Sequence, residues 1–152
     1  MQWTLTELEN WEELREFVDT ALLPLYLYRK DFAIPEHVKR MQYLMALASL
    51  IEQKLKGRVL LFPLAYQGGG AWVESAIPES FPFTFVLRFS GDNWLLKTEA
   101  SAETVHYLTV GDEDLDSQVR FEITADVCYQ QILKIWRESV AITNKSGTDQ
   151  KQ

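Results

Sequence analysis

The sequence predicts an α/β fold: three layers, with a mainly parallel sheet of four or five strands and flanking helices in a Rossmann-like arrangement. Two observations carry this expectation. First, Asp19-Thr-Ala-Leu-Leu-Pro-Leu-Tyr26 is echoed by Arg58-Val-Leu-Leu-Phe-Pro-Leu-Ala-Tyr66, with one long amphipathic segment between the copies. Short apolar runs on either side of a helix form a β-α-β unit, and strands buried on both faces read as continuous apolar runs. Second, Phe83-Thr-Phe-Val-Leu-Arg-Phe89 and Thr104-Val-His-Tyr-Leu-Thr-Val110 are rich in the β-branched and aromatic residues that strands favour.

Taken in order, Trp3-Thr4-Leu-Thr-Glu7-Leu8 has the form of a helix start. Thr4 can cap, Glu7 can bond back to it, and Trp3 can pack on Leu8. A first helix is expected to about Phe17. The first apolar run then forms strand one, but Pro24 within it removes a ladder donor, and Pro63 does the same in the second run. Both strands are expected to stop pairing near their prolines. Between them a helix from Glu36 to Lys56 carries Val38, Met41, Leu44, Met45, Ala48, Ile51 and Leu55 at helical spacing, with Lys39, Arg40, Lys54 and Lys56 as its solvated side. Gly57 closes it.

Gln67-Gly-Gly-Gly70 breaks the pattern, and the prolines at 78 and 82 leave room for a short helix at most. After the strand Phe83–Phe89, residues 91–101 allow two readings: Ser90 to Asn93 as a hairpin loop, or Asn93 as the cap of a short crossover helix. A last helix spans Thr124 to Val140, with Thr124 as its cap and Val127, Cys128, Ile132, Ile135, Trp136 and Val140 as its apolar face. Residues 1–142 therefore read as one domain and 143–152 as a polar, flexible C-terminal tail.

Composition narrows the function classes. A chain of 152 residues with 47% apolar content can bury one sizeable core. Its formal net charge of -7 opposes the counterion-release attraction behind nucleic-acid binding. The single cysteine excludes an internal disulfide, and the first residues lack a basic region followed by an apolar one, so a cytoplasmic location is expected. No apolar run approaches the roughly 18–20 residues of a membrane span.

Candidate chemistry is sparse. Gly68, Gly69 and Gly70 follow a buried strand, where glycine lets backbone N–H groups approach an anion, but the spacing matches neither a dinucleotide fingerprint nor a P-loop. Asp112 and Asp114, one residue apart after a strand, could hold a divalent metal; an acidic solvent loop is the ordinary reading, and no metal is assigned. His37 and His106 have no nucleophile at catalytic spacing and read as exposed or strand-face residues. Cys128 lies on an apolar helix face, where burial raises a thiol's pKa. One location stands out. In a parallel sheet the carboxyl ends of the strands gather Tyr26, Tyr28, Tyr66 to Gly70, Ser90 to Asp92 and Gly111 to Asp112, and open α/β sheets bind ligands in the crevice there. Gly68, Gly69, Gly70 and Asp92 are the candidate ligand-binding residues.

Gln2-Trp3-Thr4, Phe17-Val-Asp-Thr-Ala-Leu-Leu-Pro-Leu25 and Lys56-Gly-Arg-Val-Leu-Leu-Phe-Pro63 resemble blocks of the YpiF-like proteins of spore-forming bacilli. The resemblance covers most of the chain and is sharpest over the first sixty or so residues; the segment from Gln67 to Pro82 is shorter and richer in glycine than that pattern. The family is a domain of unknown function without established catalytic residues, so none carries over. Its members are often encoded beside subunits of a menaquinol:cytochrome c reductase, which implies an accessory role near respiration.

The resulting expectation is a non-enzymatic interaction or accessory protein, with a protein partner or a homodimer, no cofactor and no nucleic acid. The alternative is a small-molecule or nucleotide binder or transferase using the strand-end crevice. An activity is not assigned by any motif.

Overall fold

A computed structural model describes residues 1–67, 80–95 and 104–149 of the protein. Its elements run α1 (Trp11–Leu14), β1 (Thr20–Leu27), α2 (Ile34–Lys54), β2 (Val59–Leu61), β3 (Ala65–Gln67), β4 (Phe83–Phe89), β5 (Val105–Val110) and α3 (Gln118–Asp149). Short 3-10 helices follow β4, over Ser90–Leu95, and β5, over Asp112–Asp116. The sheet is ordered β2-β1-β4-β5, with β3 also on β1, and every pairing is parallel. This is the α/β, three-layer, five-stranded parallel architecture that the apolar echo predicts.

The echo itself is one strand and an interrupted one. Leu22 pairs with Leu61 and Leu25 with Ala65, so Phe62, Pro63 and Leu64 stand opposite only Leu23 and Pro24. One extra residue in the second strand makes a bulge that divides it into β2 and β3. The expectation that β1 stops near Pro24 is corrected: β1 runs on to Leu27, buried throughout, and Pro24 pairs in register with Leu87 of β4. The backbone direction explains why. Thr20 N–H donates to the Arg58 carbonyl and Leu22 accepts from Phe62 N–H, so even-numbered residues of β1 face the β2–β3 side. The missing N–H of Pro24 therefore faces the bulge, and Pro24 still pairs with Leu87 as the last pair of the β4 ladder.

Both faces of the sheet are buried. One carries Leu22, Phe85, Leu87, Phe89 and Leu108 against Leu44, Leu47 and Ile51 of α2 and Cys128, Ile132 and Trp136 of α3. The other carries Leu23, Leu25, Leu27, Val86 and Val105. Alternate side chains of each strand thus enter different clusters, as period-two geometry requires.

Several local expectations are corrected. Only one helical turn, α1, forms before β1, although Thr4 Oγ1 does accept from Glu7 N–H at 3.3 Å. The Glu7 carboxylate bonds Gln2 N–H instead of closing the box on Thr4. Ser90–Leu95 forms a 3-10 helix rather than a hairpin loop, and the rest of the stretch expected to be a hairpin strand or a crossover helix lies outside the described residues. The α3 helix starts earlier than Thr124, with Ser117 Oγ accepting from Arg120 N–H at 3.2 Å, and it continues to Asp149, into the segment read as a tail. Thr124 sits inside the helix and donates to Asp114 at 2.9 Å.

The largest correction concerns α2. Its buried face is His37, Arg40, Tyr43, Leu44, Leu47, Ala48 and Ile51, while Val38 and Met45 are exposed. Arg40, expected on the wet side, lies inside, and His37, expected to be exposed, does too.

Candidate functional site

At the carboxyl ends of β1 and β4 the chain assembles a compact polar and aromatic cluster. The end of β1 supplies Tyr26, and the loop after it supplies Tyr28, Arg29 and Phe32; the first two turns of α2 supply His37 and Arg40. Asp92 comes from the 3-10 helix after β4 and Asp112 from the one after β5. Helical spacing puts His37, Arg40, Leu44 and Leu47 on one face, so the buried stripe of α2 becomes polar as it reaches the strand ends.

The Tyr26 hydroxyl and His37 Nδ1 form a short, buried hydrogen bond. Burial pushes the Tyr26 pKa up, with Arg40 acting in the opposite direction, so the phenol keeps its proton. The other ring nitrogen, Nε2, is buried without a partner. Tyr28 stacks on the same ring at 4.3 Å between centroids, and Phe32 meets it edge-on at 5.7 Å.

Arg40 is only 3% exposed. Its guanidinium lies 4.7 Å from the Phe32 ring centroid and 4.1 Å from that of Phe89, and it donates once to Asp112, at 3.0 Å. Its Nε has no partner. Arg29 donates to Asp92 at 2.7 Å. Asp92 is almost wholly buried, and burial raises its pKa against the lowering effect of Arg29. Gly91 makes this pair fit, because a Cβ there would stand 2.2 Å from an Arg29 terminal nitrogen.

Of the residues singled out from sequence, Tyr26, Tyr28, Tyr66, Asp92 and Asp112 meet at this end. Gly68, Gly69 and Gly70 lie outside the described residues. Asp112 and Asp114 do not converge: the first pairs with Arg40, while the second accepts from Thr124 and stands 3.8 Å from Arg120. Among the described residues no group of three or more His, Cys, Asp or Glu side chains is placed to hold a metal ion. Cys128 is buried with its pKa pushed up to about 12, and His106 stacks on Phe85.

Sequence reasoning missed Arg29, His37 and Arg40, the cationic and imidazole half of the cluster. The available signal was the spacing of His37, Arg40, Leu44 and Leu47, hidden because a hydrophobicity pattern leaves out polar residues that share the buried face.

A second surface lies along the interrupted edge strand. Trp3 and Phe62 pack at 4.7 Å, with an apolar cavity of about 330 Å³ on one side, bounded by Pro24, Met45 and Leu64. On the other side is a cavity of about 420 Å³, bounded by Leu8, Trp11 and Phe81. Ile34, Val38 and Met45 share a face of α2 and are 72%, 46% and 45% exposed.

The fold and the strand-end cluster define an open, parallel α/β protein with a basic and aromatic centre beside a long helix N-terminus. The chain belongs to the family described as "Protein of unknown function (DUF2487)", whose model matches residues 9–139. It is similar to the "Uncharacterized protein YpiF" of Bacillus subtilis (strain 168), with 26% identity over 149 residues that cover 90% of this chain and 98% of the relative. No solved structure matches it at a significant level. Among the described residues no helix is long and apolar enough to cross a membrane.

Proposed function

We propose that the protein is a non-catalytic accessory protein of the cytoplasm that binds a protein partner through the edge formed by α2, β2 and β3. The carrying observation is the row of exposed Ile34, Val38 and Met45 beside the open cavity at the Trp3–Phe62 pair. Contiguous apolar surface of this kind marks interaction sites. The net charge of -7 favours a partner with an apolar anchor and a neutral or basic rim. The gene neighbourhood implied by the family resemblance directs the partner search to respiratory-complex subunits.

Site-specific photo-crosslinking at positions 38 and 45 in cells tests the reading. A single discrete partner should be captured at both positions, and the adduct at position 38 should be lost in Met45→Glu, while the urea midpoint changes little, as expected for an exposed site. A protein that sediments as a monomer and gives no Met45-dependent adduct would overturn it.

A further inference from the structure

The carboxyl-end cluster has a chemistry that partner binding at the edge leaves unused. We propose that it binds a phosphate-bearing small molecule at the N-terminus of α2, held by Arg29, His37 and Arg40. Three independent features of the cluster lead there.

The α2 helix is 21 residues long, and its N-cap, Ala33, supplies no side-chain acceptor. In its first turn only Ile34 has an N–H left without an acceptor, since Pro35 has none and Glu36 and His37 N–H donate to the Ala33 carbonyl, and the macrodipole adds partial positive charge at that end. His37 and Arg40, only 4% and 3% exposed, then add a buried imidazole Nε2 and a buried guanidinium Nε, both without partners. Buried polar groups without partners are costly, and two in adjacent turns of one helix, one of them the obligate Arg40 Nε–H donor, mark the place of a missing partner. Arg29 completes the set from the β1–α2 loop, with its side chain one-third exposed where a ligand would enter.

The opposing charges determine how an anion could be seated. Asp92 is buried on Arg29 and stays there. Asp112 is held to Arg40 by one bond, and its side chain is 58% exposed. A phosphate can take both Nε and a terminal nitrogen of Arg40 in a bidentate contact that outcompetes this single bond, releasing Asp112 into water. Arg29 and Arg40 would then face Asp92 alone. The half-exposed ring of Tyr66, 6.1 Å from that of Tyr28, borders the entrance and gives a planar group a face to lie on.

Titration of the full chain with inorganic phosphate, AMP and a hexose phosphate, followed by amide and arginine side-chain NMR, tests the proposal. Saturable shifts are expected at Ile34, Glu36 and His37 and at the Nε groups of Arg29 and Arg40, with sulfate competing. Arg29→Gln should weaken binding about tenfold, the scale of one charge-assisted contact. Equal affinity for all three ligands supports a site for the phosphate group itself. Tighter AMP binding that is lost in Tyr66→Ala supports a nucleotide, and tighter hexose phosphate binding supports a sugar phosphate. Shifts absent with all three ligands, or shifts that Arg29→Gln leaves unchanged, would overturn the proposal; the wild-type titration decides even if a variant folds poorly.

Discussion

The two ends of the parallel sheet are built from the same kinds of residue and differ in how completely they are satisfied. At the amino end Arg58 donates twice to Asp19, at 2.9 and 3.0 Å, and its guanidinium lies 3.7 Å from the Trp136 ring centroid. Trp136 Nε1 donates to Thr20 Oγ1 at 3.1 Å, and Thr20 donates to Asp19 at 2.9 Å. The circuit joins the starts of β1 and β2 to α3, and none of its members carries a buried unpartnered atom. At the carboxyl end Arg29 and Arg40 each make one ion-pair bond, and His37 Nε2 and Arg40 Nε have no partner. A closed circuit stabilises one structure, whereas unpartnered polar groups in a buried cluster have capacity for a ligand. The resemblance blocks around Asp19-Thr20 and Gly57-Arg58 are thereby explained as a fastening at the end of the sheet away from the usual ligand crevice.

Substitutions can break this contrast, starting with the largest effect. Trp136→Ala removes a buried indole, strips the cover from Arg58 and leaves Thr20 without its donor, so urea denaturation should show a loss of about 3–5 kcal/mol. Phosphate titration of the same variant should be unchanged wherever it is folded. A loss below about 1 kcal/mol would show that the amino-end circuit is not the fastening described.

Asp19→Ala should be milder. It deletes a bidentate partner but leaves a partly exposed arginine that water can solvate, so about 1–2 kcal/mol is expected. Arg58→Lys tests the same pair by another route, since an ammonium cannot reproduce the two-pronged contact or the stacking on Trp136.

At the other end, Gly91→Ala pushes the Arg29 guanidinium off its seat. The obstructing atom is the tip of a flexible side chain, so stability should fall by only about 0.5–1.5 kcal/mol, the net worth of one hydrogen bond. Phosphate binding should weaken as in Arg29→Gln. If the stability cost exceeds that of Asp19→Ala, the assignment of fastening and ligand-ready ends is reversed.

The smallest effect is a slope in pH. Burial raises the Asp92 pKa in the folded protein, so the folded state holds this proton more tightly than the unfolded chain does. Its contribution to stability is present in full below the ordinary carboxyl range, near pH ~4, and declines as pH rises through the raised value. Asp92→Asn should lack this decline. Urea midpoints of both proteins across the acid range check the sign, and a contribution that grows with pH would show that Arg29 outweighs burial.

The sequence made some of this legible. The apolar echo and the β-branched runs identified four of the pairing segments and their parallel sense, because a strand buried on both faces has no alternative to a continuous apolar run. The strand-end tyrosines and aspartates could also be located, since topology alone gathers them. The polar half of the cluster was hidden for a physical reason. On α2, Val38 and Met45 looked like core while His37 and Arg40 looked like surface, and packing reversed both assignments. Hydrophobic periodicity reports the average preference of each side chain, and a helix that closes a polar crevice at one end departs from that average there.

By itself, then, the sequence determined the α/β class, the β1-α2-β2 unit and the end of the sheet where a ligand could sit, all of which follow from local burial patterns and chain connectivity. Tertiary structure alone decided that β1 continues through Pro24, because the direction of a missing N–H matters only once its neighbours are in place. It also decided which face of α2 is buried and which arginine is satisfied, because partners distant in sequence, such as Asp112 for Arg40 and Trp136 for Arg58, meet only in the folded chain.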